Sequence, residues 1–337
     1  MVDSSTLTLM KYTPYQLLAE RPNVIVDGAA NDHTVLALSH WPHSGTPAQL
    51  AADLSAEIVL RYLDRPELHV SADVVSNNHF DEDGLVGVWA MVNPDEAQRR
   101  RDLLVDIAAA GDFGTFRDRR AARAAFTISG YADPDHSPLG ADVFALDYPE
   151  LVEALFNELL PRVGDICDRL DDYRFLWEAE DAVLAESEAA IASGAATVEE
   201  LPSLDLAVVA IPDDLADRRV HRFTQRRIES IHPMAVHNAT DCFRVLVVQG
   251  RRYRFHYRYE SWVQYVSRKP LPRVDLAPLA ARLSELERHG RWQADGVESI
   301  TPVLQLVGGE ETSIDIATFR AELARHLADA PPAWNPY

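Results

Sequence analysis

Residues 73–85 have the sequence Asp73-Val74-Val75-Ser76-Asn77-Asn78-His79-Phe80-Asp81-Glu82-Asp83-Gly84-Leu85, and an apolar run continues from there to Val92. The segment 73–76 predicts a short buried strand, and the segment 85–92 predicts the helix that follows it. A strand, a polar turn and a helix in this order are typical of α/β proteins, which place functional groups where such strands end. The stretch therefore predicts an α/β fold and marks a place where a site is expected.

The polar turn carries an imidazole and two carboxylates at alternating positions, His79, Asp81 and Asp83. In an extended or turning backbone, side chains two residues apart project to the same side, as ligands of a shared ion must. An imidazole combined with carboxylates suits manganese, iron or zinc better than calcium or magnesium alone. We therefore predict that these three residues bind a divalent metal, with manganese as the first choice, and that they are the catalytic residues.

A turn without a metal is the competing interpretation of the same residues. Aspartate and glycine favour turns, and carboxylates stabilise a helix N-terminus with no ion present. That interpretation accounts for Asp81, Asp83 and Gly84. It leaves His79 and the two preceding asparagines, which follow an apolar strand, unexplained.

Other aspartates and histidines in loop-like segments could complete a metal site. These further candidate ligands are Asp27, Asp32, His33 and Asp112. His40 and His43 lie in a loop after another predicted strand, where binding residues are common, although a single histidine is more often a hydrogen-bonded structural group. Asp133, Asp135 and His136 are better explained as turn residues.

The turn resembles motif I of the DHH phosphoesterase superfamily, in which a strand is followed by His-x-Asp-x-Asp-Gly and a helix. His79, Asp81, Asp83 and Gly84 occupy the matching positions. The resemblance implies a two-metal hydrolase with a dimanganese site. It covers one loop, since no Asp-His-His follows downstream and the nearest equivalent, residues 31–33, lies upstream. A second resemblance, to an uncharacterised bacterial family with Asn-Asp-His, Ser-His-Trp-Pro and Asn-Asn-His-Phe-Asp-Glu-Asp-Gly segments, implies no function.

Length and composition are those of a globular protein. The chain has 337 residues, of which 47% are hydrophobic, enough to bury a large core in one or two domains. Apolar runs of about 18 residues are lacking and residues 1–11 are polar, so neither a transmembrane helix nor a signal peptide is expected. Cys167 and Cys242 have no metal-site spacing and predict free thiols in a cytoplasmic protein.

The charge distribution favours a small anionic ligand over nucleic acid. The formal net charge of −21 repels a polyanion and argues against binding to a nucleic-acid duplex. Residues 218–273 depart from this trend, because they hold 13 of the 32 lysines and arginines against three acidic residues. We therefore expect a small anionic substrate and no duplex or membrane partner, and a homo-oligomer is compatible with the sequence.

The pattern of elements divides the chain into three parts. Residues 1–150 alternate predicted strands and helices, as expected for a metal-site domain with a mostly parallel sheet flanked by helices. Residues 151–200 form a helical connector, and residues 201–337 form a smaller α+β region in which Gly250 joins the arms of an antiparallel hairpin. The predicted strands of the first part are 24–27, 35–39 and 74–76, and its predicted helices are 47–62, 84–92 and 95–110.

The second arm of the hairpin alternates aromatic and charged residues. Tyr253 and Phe255 fall on one face, whereas Arg252 and Arg254 fall on the other. One face is therefore expected to pack, and the other to face water or a ligand.

Three charged residues just beyond this arm are the predicted substrate-binding residues, Arg258, Glu260 and Arg268. An arginine guanidinium holds a phosphate or carboxylate through a bidentate fork. The alternative is that these charges only solubilise the edge of a sheet.

Together these observations predict a hydrolase that uses two metal ions on a small phosphate ester or phosphoanhydride. His79 and Asp81 would hold one ion and Asp83 the second, and the further candidate ligands would complete or bridge the pair. Two alternatives stay open. The same ligands could serve iron-dependent oxygen chemistry or zinc-dependent amide hydrolysis, and a binding protein without catalysis could carry the same residues.

Overall fold

The computed structural model describes residues 10–222 and 225–337. Residues 1–9 and the side chains at positions 219 and 221–229 lie outside this description. The predicted polar N-terminus therefore lies mostly outside the described residues. The side chains of four arginines of the basic segment 218–273 also lie outside the description.

The chain divides into two compact units, each described by itself. Unit 1 comprises Met1–Ala182 with Arg219–Arg227, and unit 2 comprises Val183–Arg218 with Ile228–Tyr337. The boundary at Ala182 falls within the segment that the sequence suggested as a helical connector.

Unit 1 contains a sheet of four parallel strands, which confirms the predicted α/β class. In chain order the strands are β1 (Lys11–Tyr12), β2 (Asn23–Val26), β3 (Thr34–Leu38) and β4 (Val74–Ser76). Their order across the sheet is β1-β4-β2-β3, and every neighbouring pair is parallel. Strands β2 and β4 are buried along their whole length, as apolar runs in a covered parallel sheet are.

Eight α-helices are described in unit 1. They are α1 (Ser55–Leu63), α2 (Glu82–Val92), α3 (Pro94–Arg99), α4 (Arg101–Asp112), α5 (Arg119–Tyr131), α6 (Tyr148–Leu159), α7 (Val163–Asp168) and α8 (Arg174–Ala192), the last of which crosses the unit boundary. Helix α2 is buried from Glu82 to Met91 and packs against α1 and α4. The apolar run in the sequence therefore marks the central helix of the unit.

Two predicted helices have different bounds in the structure. The helix predicted over 47–62 begins at Ser55. The Thr46 hydroxyl, just before the predicted start, bonds the preceding loop instead of a helix: it donates to the carbonyl of Ser39 at 2.7 Å and accepts the Ser39 N–H at 2.9 Å. The helix predicted over 95–110 is two helices, since Arg100 leaves the helical conformation with φ −114° and ψ 14°.

Unit 2 contains a six-stranded sheet and one two-stranded ribbon, and a second ribbon falls mostly in the residues of unit 1. Its strands continue as β5 (Thr197–Leu201), β6 (Leu206–Ile211), β7 (Arg218–Arg222), β8 (Gln225–Glu229), β9 (Arg244–Gln249), β10 (Arg252–Tyr257), β11 (Arg273–Val274), β12 (Arg291–Ala294), β13 (Val303–Val307) and β14 (Pro332–Trp334), although part of the β7–β8 ribbon belongs to unit 1. The large sheet has the order β12-β13-β10-β9-β6-β5, and only β6 and β9 are parallel in it. The helices are α9 (Pro233–His237), α10 (Ala277–Leu286) and α11 (Ile316–Asp329).

The predicted hairpin is confirmed as β9 and β10. Gly250 has φ +54°, a left-handed conformation that glycine adopts without a Cβ penalty. Tyr253 and Phe255 of β10 are buried in the core that the sheet forms with α10 and α11, and Arg252 and Arg254 lie on the opposite face. Among the described residues, no helix combines the length and the apolar character needed to cross a membrane.

Candidate metal centre

The candidate site of unit 1 lies where three parallel strands end. Asp27 follows β2 directly, His40 lies two residues after β3, and His79 lies three residues after β4. Because parallel strands end at the same edge of a sheet, three loops that are distant in sequence bring their side chains together.

One group of three ligand atoms consists of Asp27, His79 and Asp81, and these atoms all lie within 4.8 Å of one another. His79 Nε2 is 2.7 Å from Asp81 Oδ2 and 3.2 Å from Asp27 Oδ2. Asp81 is also the N-cap of helix α2, since its Oδ1 accepts the N–H of Gly84 at 2.8 Å. One oxygen of Asp81 thus starts the helix while the other faces the histidine.

A second group of three consists of Asp27, His40 and Asp83, again within 4.8 Å. His40 Nε2 is 3.4 Å from Asp27 Oδ1 and 3.9 Å from Asp83 Oδ2. Asp112, at the end of helix α4, brings its Oδ2 within 3.4 Å of the same nitrogen. The two groups share Asp27, which places its carboxylate between them.

Asp27 is fixed in an unusual backbone conformation. Its φ of +48° lies in the left-handed region, which aspartate and asparagine enter more readily than most residues. Ser55 Oγ donates to Asp27 Oδ1 at 2.7 Å, and the amide of Asn77 donates to the Asp27 carbonyl at 3.0 Å. The shared carboxylate is therefore held by both its side chain and its backbone.

His40 is oriented by a backbone carbonyl. Its Nδ1 lies 2.6 Å from the oxygen of Asp53, and because a carbonyl can only accept, the proton is on Nδ1. Burial lowers the pKa of His40 and so favours the neutral ring, in which Nε2 carries the lone pair and faces the carboxylates of Asp27 and Asp112. Histidine ligands of metals are commonly oriented by this kind of hydrogen bond through the other ring nitrogen.

Burial dominates the pKa values of Asp83 and Asp112. It raises the pKa of Asp112 well above its usual range, and the charges of Asp83 and Asp81 add to the effect. Burial likewise raises the pKa of Asp83, reinforced by Asp27 and Asp81. Each carboxylate is thus destabilised in its charged form by its neighbours, which is the electrostatic condition that a bound cation relieves.

The same negative charges favour the protonated form of His79 and raise its pKa. Burial would lower its pKa, but the charge of Asp81 and the hydrogen bond with Asp27 outweigh burial and hold the pKa well above the usual range. For Asp27, burial raises the pKa, but the hydrogen bond with His79, the charges of His79 and His40 and the hydrogen bond from Ser55 together outweigh it and lower the pKa of Asp27 to about 2. The pocket between these side chains therefore stabilises positive charge.

Glu82 is a buried acid beside the cluster. Its carboxylate accepts the hydroxyl of Ser129, and a Cβ at Gly111 would lie only 2.5 Å from the Glu82 Cβ, so α4 and α2 approach closely here. Burial raises the pKa of Glu82 to about 7.

Comparison with known protein families assigns the chain to one of them. A family model described as "Family of unknown function (DUF6687)" matches residues 8–337. The chain belongs to this family. No curated protein and no solved structure matches it.

The structure brings together five of the seven ligand candidates, Asp27, His79, Asp81, Asp83 and Asp112. It does not bring Asp32 and His33 to them. Both side chains are exposed, and the His33 carbonyl accepts the N–H of Asn23 at the beginning of strands β2 and β3. They lie at the amino-terminal end of strand β3, whereas Asp27 lies at the carboxyl-terminal end of strand β2.

The three predicted substrate-binding residues lie in unit 2 and bond to other residues of that unit. Arg258 and Glu260 are buried and form an ion pair, and the Arg258 guanidinium also donates to the Thr240 carbonyl at 3.1 Å. Arg268 pairs with Asp205 at 3.1 Å. In this arrangement the three side chains stabilise their own unit.

Two site residues, His40 and Ser55, were absent from the predicted ligand set. A signal for His40 existed, because it follows β3 as His79 follows β4. Ser55 had no local signal, since its role depends on a contact with Asp27, 28 residues away.

Proposed function

We propose that this protein is a metal-dependent hydrolase that acts on a small phosphate ester or phosphoanhydride with two divalent cations. The observation that carries the proposal is that two ligand groups, one with His79 and Asp81 and one with His40 and Asp83, share Asp27. A carboxylate shared between two three-residue groups is the arrangement expected of a bridging ligand in a two-metal site.

The charge of the cluster supports two cations. Four buried aspartates, Asp27, Asp81, Asp83 and Asp112, carry up to four negative charges, and two divalent ions would balance them. The groups that most affect the pKa values of these aspartates include the other aspartates and the two imidazoles. Like charges at this spacing are costly in a buried site unless a counter-ion is bound.

The donor set fits a transition metal. Each group offers one imidazole nitrogen and two carboxylates, and His40 already presents Nε2 as a lone pair. This mixture favours manganese, iron or zinc over calcium, and manganese remains our first choice. When bound, such ions lower the pKa of a coordinated water and stabilise an in-line displacement.

The protein itself positions the ligands and restricts access. His79 has 17% of its side chain exposed, against 1% for Asp27 and none for His40. The Trp41 ring lies beside His79 with centroids 4.9 Å apart. A substrate would therefore approach from the side of His79 and Trp41, and the small exposed fraction of these ligands favours a small molecule.

The preference for phosphate has two supports. Paired divalent ions are characteristic of phosphatases and nucleases, where they contact both the attacking and the leaving oxygen. The loop with His79, Asp81, Asp83 and Gly84 also resembles motif I of the DHH phosphoesterases.

The first test is the metal content of untagged protein purified without chelator. We expect about two manganese, iron or zinc ions per chain in the wild type, and their loss in Asp27→Asn, which keeps the size and the backbone preference of the residue. Asp32→Asn is the matched control, because Asp32 is an exposed aspartate of the same unit. A folded wild type that binds no transition metal, even after incubation with Mn²⁺, would overturn the proposal.

Turnover is the second test. Wild-type protein loaded with Mn²⁺ is assayed with p-nitrophenyl phosphate, bis(p-nitrophenyl) phosphate and pyrophosphate. We expect hydrolysis of at least one of these by the wild type and Asp32→Asn, and none by Asp27→Asn. Equal rates in Asp27→Asn and the wild type would show that the cluster is not the catalytic site.

A further inference from the structure

Asn77, one of the two asparagines that precede His79, has no role in the proposed function although it is fully buried. Its Nδ2 donates to the backbone carbonyl of Asp27 at 3.0 Å, and its Oδ1 accepts the backbone N–H of His79 at 2.7 Å. A carbonyl can only accept and a backbone N–H can only donate, so these partners fix the orientation of the amide. The side chain of Asn77 therefore joins the ligand shared by both groups to the histidine of one group.

The two bonds of Asn77 lie beyond the point where the neighbouring strands stop pairing. Strands β2 and β4 are parallel, and the last pair in their register is Ile25 with Ser76. Asp27 and His79 come after that pair, so the ladder between β2 and β4 does not reach either ligand. The amide of Asn77 supplies one donor and one acceptor there, as the backbone of a further ladder residue would.

A glycine leaves the space that this amide occupies. A Cβ at Gly84, in the first turn of helix α2, would lie 2.3 Å from Nδ2 of Asn77. That distance is far shorter than a van der Waals contact, so a larger residue at this position would displace the amide. Glycine is the residue that permits such a close approach. The glycine of the His-x-Asp-x-Asp-Gly turn thus makes room for Asn77.

The group with His40 and Asp83 has supports of its own. The Oδ1 of Asp27, which faces His40, accepts the hydroxyl of Ser55 at 2.7 Å. The carboxylate of Asp83 accepts two backbone N–H groups at the start of helix α1. Neither contact involves Asn77, so the loss of its amide should affect the ion of the other group and leave this one in place.

We propose that Asn77 is a positioning residue of the candidate metal centre and that it sets the affinity of the ion held by His79 and Asp81. Its two bonds hold the loops that place Nε2 of His79 3.2 Å from Oδ2 of Asp27. Groups that orient metal ligands without touching the ion commonly change metal affinity by about 10–100-fold. This inference rests on the proposed two-metal site and assigns one of its ions a separate support.

The test is a titration of the full-length protein, stripped with chelator and dialysed, with Mn²⁺. Calorimetry gives the affinities, and electron paramagnetic resonance distinguishes a bridged pair of Mn²⁺ ions from a single ion. We expect the wild type to bind about two ions. We expect Asn77→Ala to bind one ion with wild-type affinity and the second about tenfold or more weakly. At Mn²⁺ concentrations that just saturate the wild type, the variant should show the signal of a single ion.

Asn23→Ala is the matched control. Asn23 is also fully buried, and its amide donates to the carbonyl of Arg21 at 2.9 Å, but it lies at the opposite end of strand β2 from Asp27. We therefore expect this variant to lose stability as Asn77→Ala does and to keep both ions at wild-type affinity.

Asn77→Ser separates the two bonds of the amide. A serine hydroxyl can still accept the N–H of His79 in a turn of the same kind, but it is too short to reach the Asp27 carbonyl. We expect the same selective loss of affinity for one ion, and circular dichroism establishes that each variant is folded.

The outcomes separate this inference from the proposed function. Folded Asn77→Ala and Asn77→Ser proteins that bind both ions as the wild type does would overturn the inference and leave the two-metal site intact. Equal weakening of both ions, or the same weakening in Asn23→Ala, would show that Asn77 only stabilises the fold. A wild type that binds no Mn²⁺ would overturn the proposed function and this inference with it.

Discussion

The carboxylate of Asp83 accepts the backbone N–H of Ser55 at 2.7 Å and so joins the first turn of helix α2 to the N-terminus of helix α1. Its other oxygen accepts the N–H of Ala56 at 2.6 Å. These bonds satisfy two of the donors that a helix N-terminus leaves without intrahelical partners. Asp83 is thus a candidate metal ligand and a structural cap at the same time.

Replacement of Asp83 should therefore cost stability even without a metal. We expect Asp83→Ala to lower the free energy of unfolding of the metal-free protein by about 2–4 kcal/mol, because two buried N–H groups lose their acceptor at roughly 1–3 kcal/mol each. Urea unfolding followed by circular dichroism measures the difference.

Asp112→Asn is the comparison for that experiment. Burial and the neighbouring charges of Asp83 and Asp81 disfavour the ionised form of Asp112. Removing its charge should therefore leave the metal-free protein unchanged or stabilise it by about 1 kcal/mol. Equal losses in both variants would contradict a capping role for Asp83.

Close packing behind the site leads to a second prediction. A Cβ at Gly87 of helix α2 would lie 2.7 Å from Cγ1 of Val26 in strand β2. We expect Gly87→Ala to destabilise the protein by about 1–3 kcal/mol, because the overpacking outweighs the better helix propensity of alanine. Thermal unfolding measures the change.

Gly164→Ala is the matched control for this substitution. A Cβ at Gly164 of helix α7 would meet Trp89 at 3.5 Å, an ordinary contact. We expect it to be neutral or stabilising by up to about 1 kcal/mol. A stable Gly87→Ala protein would show that α2 can move away from the sheet.

The sequence predicted the parts of the fold that have a local signal. Strands β2, β3 and β4 are short apolar runs, and the hairpin of β9 and β10 has alternating residues around Gly250. Strand β1 was missed because two residues, Lys11 and Tyr12, carry no period, and their pairing with β4 depends on residues more than 60 positions away.

The candidate site likewise contains residues that a local sequence pattern identifies and residues that only the fold brings together. His79, Asp81 and Asp83 occur in one turn and could be recognised there. The contacts of His40 with Asp53 and of Ser55 with Asp27 join different loops, and only the order of strands in the sheet brings them together. Asp32 and His33 are suitable metal ligands by residue type, but they precede strand β3 and so lie at the opposite end of the parallel strands from the site.

Glu287 of unit 2, which is not part of the candidate metal centre, should make the free energy of unfolding depend on pH. Burial would raise the pKa of Glu287, but hydrogen bonds from Ser313, Thr312 and the His289 N–H outweigh it and lower the pKa to about 2. The ionised form therefore stabilises the folded state above the unfolded pKa of about 4.3, and this contribution is lost as the pH falls from there towards 2.

We expect Glu287→Gln to lower the free energy of unfolding by about 1–2 kcal/mol at pH 7, a value reduced for the partial exposure of the side chain. The difference from the wild type should vanish near pH 2. Urea titrations at several pH values measure it, with the exposed Glu285→Gln as control. A difference that is constant with pH would exclude the charge as its cause.

Because Asp27 belongs to both ligand groups, its replacement should remove both ions, whereas replacement of a ligand of one group should remove one. Asp81 belongs only to the group with His79, and His40 belongs only to the group with Asp83, whereas Asp27 belongs to both. We expect Asp81→Asn, which keeps a good N-cap, and His40→Asn to retain about one tightly bound ion each, and Asp27→Asn to retain none. Metal analysis after dialysis gives the stoichiometry, and loss of both ions in every variant would mean that the two groups form a single site.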